Sequence, residues 1–325
     1  MHPFRYAEPQ SVAEACRFLK RQGPSALPIA GGTDLLNEIK EGIAKPEFIL
    51  NLKRLPSLAQ LREKDGALRI GAMVSLSQLA GYPILRRNFP ILSEALSTLA
   101  TPQIRAVGTV AGNLCQRPRC FYYRHPLLLC AKKGGRTCFA LDGVNRYHAI
   151  LQNEPCPMVH PSDLAPVLIA LDAQVVLAGA KDKRLLPLEE FFLLPTQDIT
   201  RETVLTPGEI LIEVQVPKPK AGTRGTYLKF RERGTGDFAV VSAACSGRVL
   251  RGTVVEMRLV LGGVAPIPFR ARKAEEMLLG QKPRKDLLAE AAQAVLSEAT
   301  PIPGNRYKIR AAQTLMVRAM QAVLK

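Results

Sequence analysis

The stretch Pro28-Ile29-Ala30-Gly31-Gly32-Thr33-Asp34-Leu35 decides the fold of the amino-terminal region. An apolar run over 26–30 ends in the two glycines, and a helical pattern begins at Leu35, so the glycines are predicted to lie at a strand-to-helix turn. Upstream, the apolar spacing of 11–21, with a serine at the N-cap position, predicts a capped amphipathic helix. Downstream, 48–52 is typical of a second strand. The first fifty residues therefore predict a small α/β unit.

A second glycine turn, Gly108-Thr109-Val110-Ala111-Gly112-Asn113, has the same small and hydroxylated composition. Successive backbone N–H groups at a helix start attract phosphate, because the peptide dipoles are aligned there. A lone double glycine also occurs in ordinary tight turns. Two such turns could close on one pyrophosphate, although neither is a dinucleotide-binding G-x-G-x-x-G nor a P-loop.

The carboxyl-terminal third has a different pattern. Residues 210–216 predict a strand closed by Pro217, and 217–222 resemble a linker. The apolar runs that follow, 238–245 and 257–261, predict antiparallel strands. Helical periodicity then occupies three segments, 272–279, 285–299 and 305–324.

Five of the seven cysteines fall within 42 residues: Cys115, Cys120, Cys130, Cys138 and Cys156. We expect a reducing compartment, where a disulfide framework is rare. No C-x-x-C pair occurs, which disfavours structural zinc. Four thiolates on a long loop suit a [4Fe-4S] cluster, which tolerates varied spacing. A chance run of free cysteines is the alternative.

The same region is strongly basic, with no Asp or Glu between Ala95 and Leu141. Positive charge stabilises thiolates and an anionic cluster, so this composition supports the cluster hypothesis. A solvated basic loop is the other interpretation. The basic residues are Arg105, Arg117, Arg119, Arg124, Lys132, Lys133 and Arg136. Of the histidines nearby, His125, His148 and His160, we expect the last two to make ordinary hydrogen bonds within the fold.

The whole chain of 325 residues carries a formal charge of +17. Charge alone permits nucleic acid, anionic cofactors or acidic proteins as partners. Aromatic residues make up only 6% with no Trp, which disfavours the stacking platforms of single-strand nucleic-acid binding. Neither a signal peptide nor a membrane-spanning run is predicted. We expect a cytoplasmic chain, unless a partner's signal exports a preassembled complex to the periplasm.

At these motifs the sequence resembles the FAD-binding medium subunits of the xanthine dehydrogenase family of molybdenum hydroxylases, over essentially the whole chain. The matching segments are 28–35, 103–114, Pro161-Ser162-Asp163-Leu164-Ala165-Pro166, and Lys229 with Arg231 ahead of Asp237-Phe238-Ala239. The resemblance implies an α+β fold, with a two-part PCMH-type (vanillyl-alcohol-oxidase-like) FAD-binding domain over 1–217. Its subdomains are expected at about 1–56 and 57–217, followed by a smaller α+β domain over 223–325.

In that family the two glycine loops bind the FAD pyrophosphate, and Asp163 and Lys229 are implied to be the best single polar contacts. The cofactor-binding residues implied here are Pro28, Ile29, Ala30, Gly31, Gly32, Thr33, Asp34, Leu35, Thr101, Arg105, Gly108, Thr109, Gly112, Asn113, Asp163 and Lys229.

Most family members lack the cysteine loop, here about 115–156. The insertion resembles that of the aldehyde oxidoreductase and 4-hydroxybenzoyl-CoA reductase flavin subunits, including Arg119-Cys120-Phe121-Tyr122-Tyr123 and 143–150. By this resemblance Cys120, Cys130, Cys138 and Cys156 are the [4Fe-4S] ligands, and Cys115 is a spare.

The resemblance implies an electron-transfer subunit of a heterotrimer, with a large molybdenum-cofactor subunit and a small [2Fe-2S] subunit as partners. Electrons would pass between those centres, FAD and an external acceptor or donor, and no catalytic acid, base or nucleophile is required of this chain. Two alternatives stay open. One is a stand-alone FAD oxidoreductase with a structural metal loop, and the other is a basic nucleic-acid-binding module with structural zinc.

Overall fold

The computed structural model of the protein describes residues 2–234 and 236–325. The amino-terminal unit is a parallel three-stranded sheet in the order β1-β3-β2. Its strands are β1 (Arg5–Ala7), β2 (Ala26–Ile29) and β3 (Phe48–Asn51), and its helices are α1 (Val12–Gln22) and α2 (Leu35–Lys40). Ser11 caps α1, because its side chain accepts the Glu14 amide. The predicted α/β unit and its strand-to-helix glycine turn are confirmed.

A five-stranded antiparallel sheet follows, in the order β4-β5-β8-β6-β7. Its strands are β4 (Leu61–Lys64), β5 (Ala67–Gly71), β6 (Gln174–Ala178), β7 (Lys183–Pro187) and β8 (Ile210–Pro217). Between β5 and β6 lie α3 (Leu76–Ala80), α4 (Pro83–Asn88), α5 (Pro90–Thr98), α6 (Pro102–Val107), α7 (Val110–Leu114), α8 (Phe121–Arg124) and α9 (Leu164–Ala170). The long excursion between these two strands therefore contains the second glycine turn and the cysteine loop.

The carboxyl-terminal sheet is antiparallel with the order β12-β11-β10-β9. Its elements are β9 (Arg224–Phe230), β10 (Val241–Leu250), β11 (Thr253–Gly262), β12 (Phe269–Arg270), α10 (Arg272–Leu278), α11 (Lys285–Leu296) and α12 (Tyr307–Val323). Residues 241–247 are buried without alternation, because α12 packs on one face of β10 and α9 on the other. The predicted strands and helices of this region are confirmed.

Helix α9 joins the second and third sheets. Each of its seven residues is buried, and it packs against α5, β10 and β11. Ala244 and Val260 of the third sheet consequently belong to the same apolar core as the second sheet. A helix that is apolar all round has no solvent face, so the segment before it is held in a defined position. That segment contains Ser162 and Asp163. No helix in the described part of the chain is both long and apolar enough to cross a membrane.

Candidate functional site

A cleft of about 1200 Å³ opens where the turn after β2, the α6–α7 turn and residues 236–238 meet. Its size exceeds the usual range of small-molecule sites, about 300–1000 Å³, as a long ligand requires. Of the predicted cofactor-binding residues, the cleft is lined by Pro28, Ala30, Gly31, Gly32, Thr33, Asp34, Leu35, Thr101, Gly108, Thr109, Gly112, Asn113 and Asp163. The two glycine turns, 77 positions apart from Gly31 to Gly108 (108 − 31), thus lie together at one site.

The two glycine turns touch through their backbones. A Cβ on Gly31 would overlap the Val107 carbonyl oxygen and lie 2.9 Å from the Gly108 Cα, so only glycine fits there. The amides of Gly31, Gly32 and Thr33 donate no hydrogen bond to any other residue within 2–234 and 236–325. Unpaired N–H groups beside an unobstructed backbone can bind phosphate oxygens. The cleft therefore fits the pyrophosphate of a dinucleotide.

Two threonines shape the same wall. Thr101 begins α6 and its side chain accepts the Ile104 amide at 3.3 Å, while Thr109 begins α7 and accepts the Gly112 amide at 3.1 Å. Each hydroxyl satisfies one free donor of its helix start. Thr101 and Thr109 therefore orient the short helices whose first turns face the cleft.

Three predicted cofactor-binding residues do not line the cleft. Ile29 packs with Ile39 and Ile49 in a small core beneath the first turn. Arg105 donates to the carbonyls of Leu99 and Ala100, at 2.8 and 3.0 Å. Ala100 itself has φ +49, a backbone conformation that L residues seldom adopt. Arg105 thus supports the strained end of the segment that faces the cleft.

Lys229, the third of these residues, is paired inside the protein. Its Nζ lies 2.7 Å from Oδ2 of Asp163, and both side chains are almost fully buried. The Tyr227 hydroxyl donates to Oδ1 of Asp163 at 2.6 Å, and burial raises the Tyr227 pKa well above its ordinary value. The pair links β9 to the segment before α9, and Asp163 alone of the two reaches the cleft.

Asp34 faces the cysteine loop as well as the cleft. It occupies the N-cap position of α2 without capping it. Instead its carboxylate accepts the Arg117 amide at 2.7 Å and Nη2 of Arg124 at 2.8 Å, and it pairs with Arg119. Burial raises the pKa of Asp34, but Arg119 and Arg124 outweigh burial and place it below the ordinary value.

Four of the clustered cysteines converge in space. Cys120, Cys130 and Cys138 lie near enough for the charge of one thiol to raise the pKa of another, and Cys156 is within the same range of Cys120 and Cys138. Cys115 instead lines the cleft. The ligand set that the resemblance implies, Cys120, Cys130, Cys138 and Cys156, stays a prediction.

Backbone amides lie near three of these sulfur atoms. Burial raises the pKa of Cys120, Cys138 and Cys156, the last to about 12, and the amides oppose this rise. The donors are Tyr122 and Tyr123 to Cys120, Ala140 and Leu141 to Cys138, and Met158 to Cys156. Nearby amide donors favour the charged thiolate over the neutral thiol.

A single metal ion is not indicated by this arrangement. Within residues 2–234 and 236–325, no three His, Cys, Asp or Glu side chains lie close enough together to hold one metal ion.

The interpretation of the basic residues requires correction, because four of the seven are paired with carboxylates from outside the cysteine loop. Arg117 and Lys132 pair with Glu202, with Lys132 at 2.5 Å, while Arg119 and Arg124 pair with Asp34. The solvated-loop alternative is also wrong here, because the Lys132 side chain is only 2% exposed. Lys132 still lowers the pKa of Cys156. The paired side chains chiefly attach the loop to the rest of the protein.

The two buried histidines differ in their contacts. His160 accepts the Ser162 amide at 3.3 Å and packs edge-on against Phe192, which confirms an ordinary role in the fold. His148 lies with Nε2 3.2 Å from the Cys120 sulfur, and burial lowers its pKa to about 4. His148 therefore lies beside one of the four cysteines, whereas the sequence favoured an ordinary hydrogen bond within the fold.

We expect the free energy of unfolding to fall as the pH drops from 7 to 4, partly because of His160. Burial lowers the folded-state pKa of His160 to about 3, whereas its ordinary value is 6.5. Between these values the unfolded chain binds a proton that the folded chain does not, so acidification costs up to about 1.4 kcal/mol per pH unit. Urea unfolding of the unsubstituted and His160→Gln chains at three pH values should give a shallower slope for the variant. Equal slopes would contradict this role.

Several cleft residues were not selected from the sequence. Lys45 adds a cation to the lining, and Ile104 and Phe238 add apolar surface. Phe238 also lies under the Arg119 guanidinium, 5.1 Å from ring centroid to Cζ. A lysine in a loop, as Lys45 is, carries no distinctive sequence signal. Phe238 follows the motif at Lys229, so it could have been included among the predicted cofactor-binding residues.

Comparisons with known proteins agree with this geometry. Residues 2–219 match the family model described as FAD binding domain in molybdopterin dehydrogenase, and residues 226–323 match the CO dehydrogenase flavoprotein C-terminal domain. The chain is 35% identical to the aldehyde oxidoreductase FAD-binding subunit PaoB of Escherichia coli (strain K12), over 98% of both chains. It is 30% identical to the carbon monoxide dehydrogenase medium chain of Hydrogenophaga pseudoflava, over 98% of this chain and 96% of that relative.

A solved structure is also similar. Carbon monoxide dehydrogenase from Hydrogenophaga pseudoflava, in a form lacking the Mo-pyranopterin moiety of the molybdenum cofactor, superposes with a TM-score of 0.80 at 31% identity. The match covers 99% of this chain and 98% of that one. The region of the cleft and the third sheet therefore both have a counterpart in a solved protein.

Proposed function

The chain belongs to the family of FAD-binding medium subunits of molybdenum hydroxylases, and from this premise we propose that it passes electrons between its own FAD and the other redox subunits of such an enzyme. One observation carries the proposal: the backbone contact between Gly31 and Gly108, which leaves unpaired amides facing a cleft large enough for FAD. Those amides would bind the pyrophosphate. In this proposal 1–217 form the FAD-binding domain, with subdomains 1–56 and 57–217, and 223–325 form the carboxyl-terminal domain.

FAD supplies the electron-accepting chemistry when it is bound. The chain's own residues position it and keep water away. Gly31, Gly32 and Thr33 would donate to phosphate oxygens, Thr101 and Thr109 orient the helix starts of the opposite wall, and Asp163 offers a carboxylate fixed by Lys229. A buried, hydrogen-bonded carboxylate keeps one orientation, which favours selective contact with a ligand.

The four converging thiols extend this proposal. Cys120, Cys130, Cys138 and Cys156 would bind a [4Fe-4S] cluster, a proposal supported by their mutual proximity and by the resemblance of this loop. The partners would be a large molybdenum-cofactor subunit and a small [2Fe-2S] subunit. The relatives are themselves called a medium chain and an FAD-binding subunit, names that fit a multi-subunit assembly.

The first test is the visible spectrum of anaerobically purified protein, with flavin and iron quantified per chain. We expect flavin bands, one FAD and about four irons. Cys130→Ser should lower the iron content to below about half while leaving flavin bound, because one of four ligands is lost. The matched control is Cys115→Ser, which replaces another shielded thiol and should keep the iron.

The outcomes separate the parts of the proposal. Flavin without iron in the unsubstituted protein would remove the cluster and leave the flavin assignment standing. A colourless protein would remove both. Equal iron loss in Cys130→Ser and Cys115→Ser would contradict the ligand set.

A further inference from the structure

We propose that Asp34 and Glu38 are positioning residues that couple the flavin cleft to the site formed by the four cysteines. Binding of FAD and binding of the [4Fe-4S] cluster then strengthen each other. The proposal rests on the function proposed above and goes beyond it. It concerns the carboxylates of Asp34, at the N-cap position of α2, and of Glu38 within α2, which contact the short helix α8 of the cysteine loop.

Asp34 forms the first connection. It belongs to the turn whose amides face the cleft, yet its own carboxylate points away from its helix start and accepts donors from the cysteine loop. Two of them, the Arg117 amide and Arg124 Nη2, lie at 2.7 and 2.8 Å. Because a charged acceptor with several buried donors fixes both partners, the turn and the loop share one conformation here.

Glu38 forms the second connection, one helical turn after Asp34. It accepts the Tyr123 hydroxyl at 2.7 Å, and Arg124 lies 3.7 Å away. The Glu38 side chain is 7% exposed and Tyr123 is 4% exposed, so water does not compete for this contact. Positions i and i+4 lie on one face of a helix. That face of α2 therefore contacts α8.

Helix α8 makes contact with the cluster region at its other end. Cys120 is the N-cap residue of α8, and the Arg124 amide donates to the Cys120 carbonyl at 2.9 Å. Tyr123 thus belongs to the short helix that begins at Cys120, and it donates its hydroxyl to Glu38. A displacement of this four-residue helix alters both contacts together.

The thermodynamic consequence is reciprocal. A cluster that fixes Cys120 would order α8 and, through Asp34 and Glu38, the turn that faces the cleft. FAD would then bind to a turn already ordered, so that less conformational entropy is lost. By linkage, bound FAD must raise the affinity of the chain for the cluster by the same factor. We expect about a tenfold effect in each direction, within the usual range of such coupling.

The experiment is a double-mutant cycle on the full chain, with FAD affinity measured by flavin fluorescence after removal of the bound flavin. Four proteins are compared: unsubstituted, Cys130→Ser, Asp34→Asn, and both changes together. Cys130→Ser should weaken FAD binding about tenfold alone, but less than about twofold in the Asp34→Asn background. Tyr123→Phe removes the hydroxyl that donates to Glu38, so this variant should repeat the Asp34→Asn result. Glu38→Gln keeps an oxygen that can accept the Tyr123 hydroxyl.

A second readout tests reciprocity without substitution of a cysteine. At equilibrium with a competing chelator, removal of half of the iron should need about tenfold less chelator for flavin-free than for flavin-loaded unsubstituted protein, with this difference lost in Asp34→Asn. Asp286→Asn, which removes one exposed carboxylate at the start of α11, is the charge-matched control and should behave as the unsubstituted protein.

Each outcome decides the proposal. Equal losses of FAD affinity from Cys130→Ser in both backgrounds, or removal of iron at the same chelator concentration with and without FAD, would overturn the coupling while the flavin and cluster assignments stand. A chain that binds FAD but never binds iron would overturn the coupling together with the cluster. A chain that binds iron but no FAD would overturn it together with the flavin assignment.

Discussion

Gly31→Ala should weaken FAD binding by about a hundredfold. The added Cβ would overlap the Val107 carbonyl oxygen and approach the Gly108 Cα to 2.9 Å, and both are backbone atoms that cannot rotate away. The two glycine turns must therefore separate, at a cost of about 3 kcal/mol for overpacking a close contact. That cost corresponds to roughly a hundredfold in affinity if binding restores the contact. Fluorescence titration of flavin-free protein measures it.

The matched control is Gly66→Ala. Gly66 lies in the β4–β5 hairpin with φ +71, and a Cβ there would meet nothing within 4 Å. This variant experiences backbone strain without a collision at the cleft, so its FAD affinity should stay within about twofold of the unsubstituted value. Similar losses in both variants would indicate general destabilisation and contradict a specific role for Gly31.

Much of the flavin site could be predicted from the sequence because its signals are local. Two glycines between an apolar strand and a helical pattern predict a turn with accessible amides, and the structure places that turn between β2 and α2. Periodicity likewise identified the capped α1 and the antiparallel β10 and β11. That the two glycine turns meet followed from the resemblance, since local patterns do not specify contacts between turns distant along the chain.

The ion pairs between distant segments could not be predicted from local sequence patterns. No Asp or Glu occurs between Ala95 and Leu141, so the sequence indicated unpaired positive charge there. In the folded chain Asp34 and Glu202, each more than sixty residues distant from a partner, neutralise four of those cations. Lys229 was likewise expected to contact the cofactor, and its partner is Asp163. Ion pairs between distant segments depend on tertiary packing, which composition does not encode.

Lys229→Met should destabilise the protein by about 3–5 kcal/mol. The Lys229 and Asp163 side chains are 2% and 5% exposed, and their charged atoms lie 2.7 Å apart. Removing the ammonium leaves the Asp163 carboxylate buried with the Tyr227 hydroxyl as a remaining donor, and an uncompensated buried charge carries a cost of this size. Urea unfolding followed by circular dichroism measures the change.

A second substitution separates the lost charge from lost packing. Lys229→Met combined with Asp163→Asn removes both charges and keeps an acceptor for Tyr227, so it should recover a large part of the loss. Lys273→Met breaks an exposed pair with Glu298, 3.4 Å apart, and should change the unfolding free energy by less than about 1 kcal/mol. If the double variant were no more stable than Lys229→Met alone, packing by the lysine stem would be responsible. Recovery would instead identify Asp163 as a charge that β9 keeps neutralised beside the flavin cleft, and FAD affinity in the double variant would then measure what that charge contributes to the cofactor.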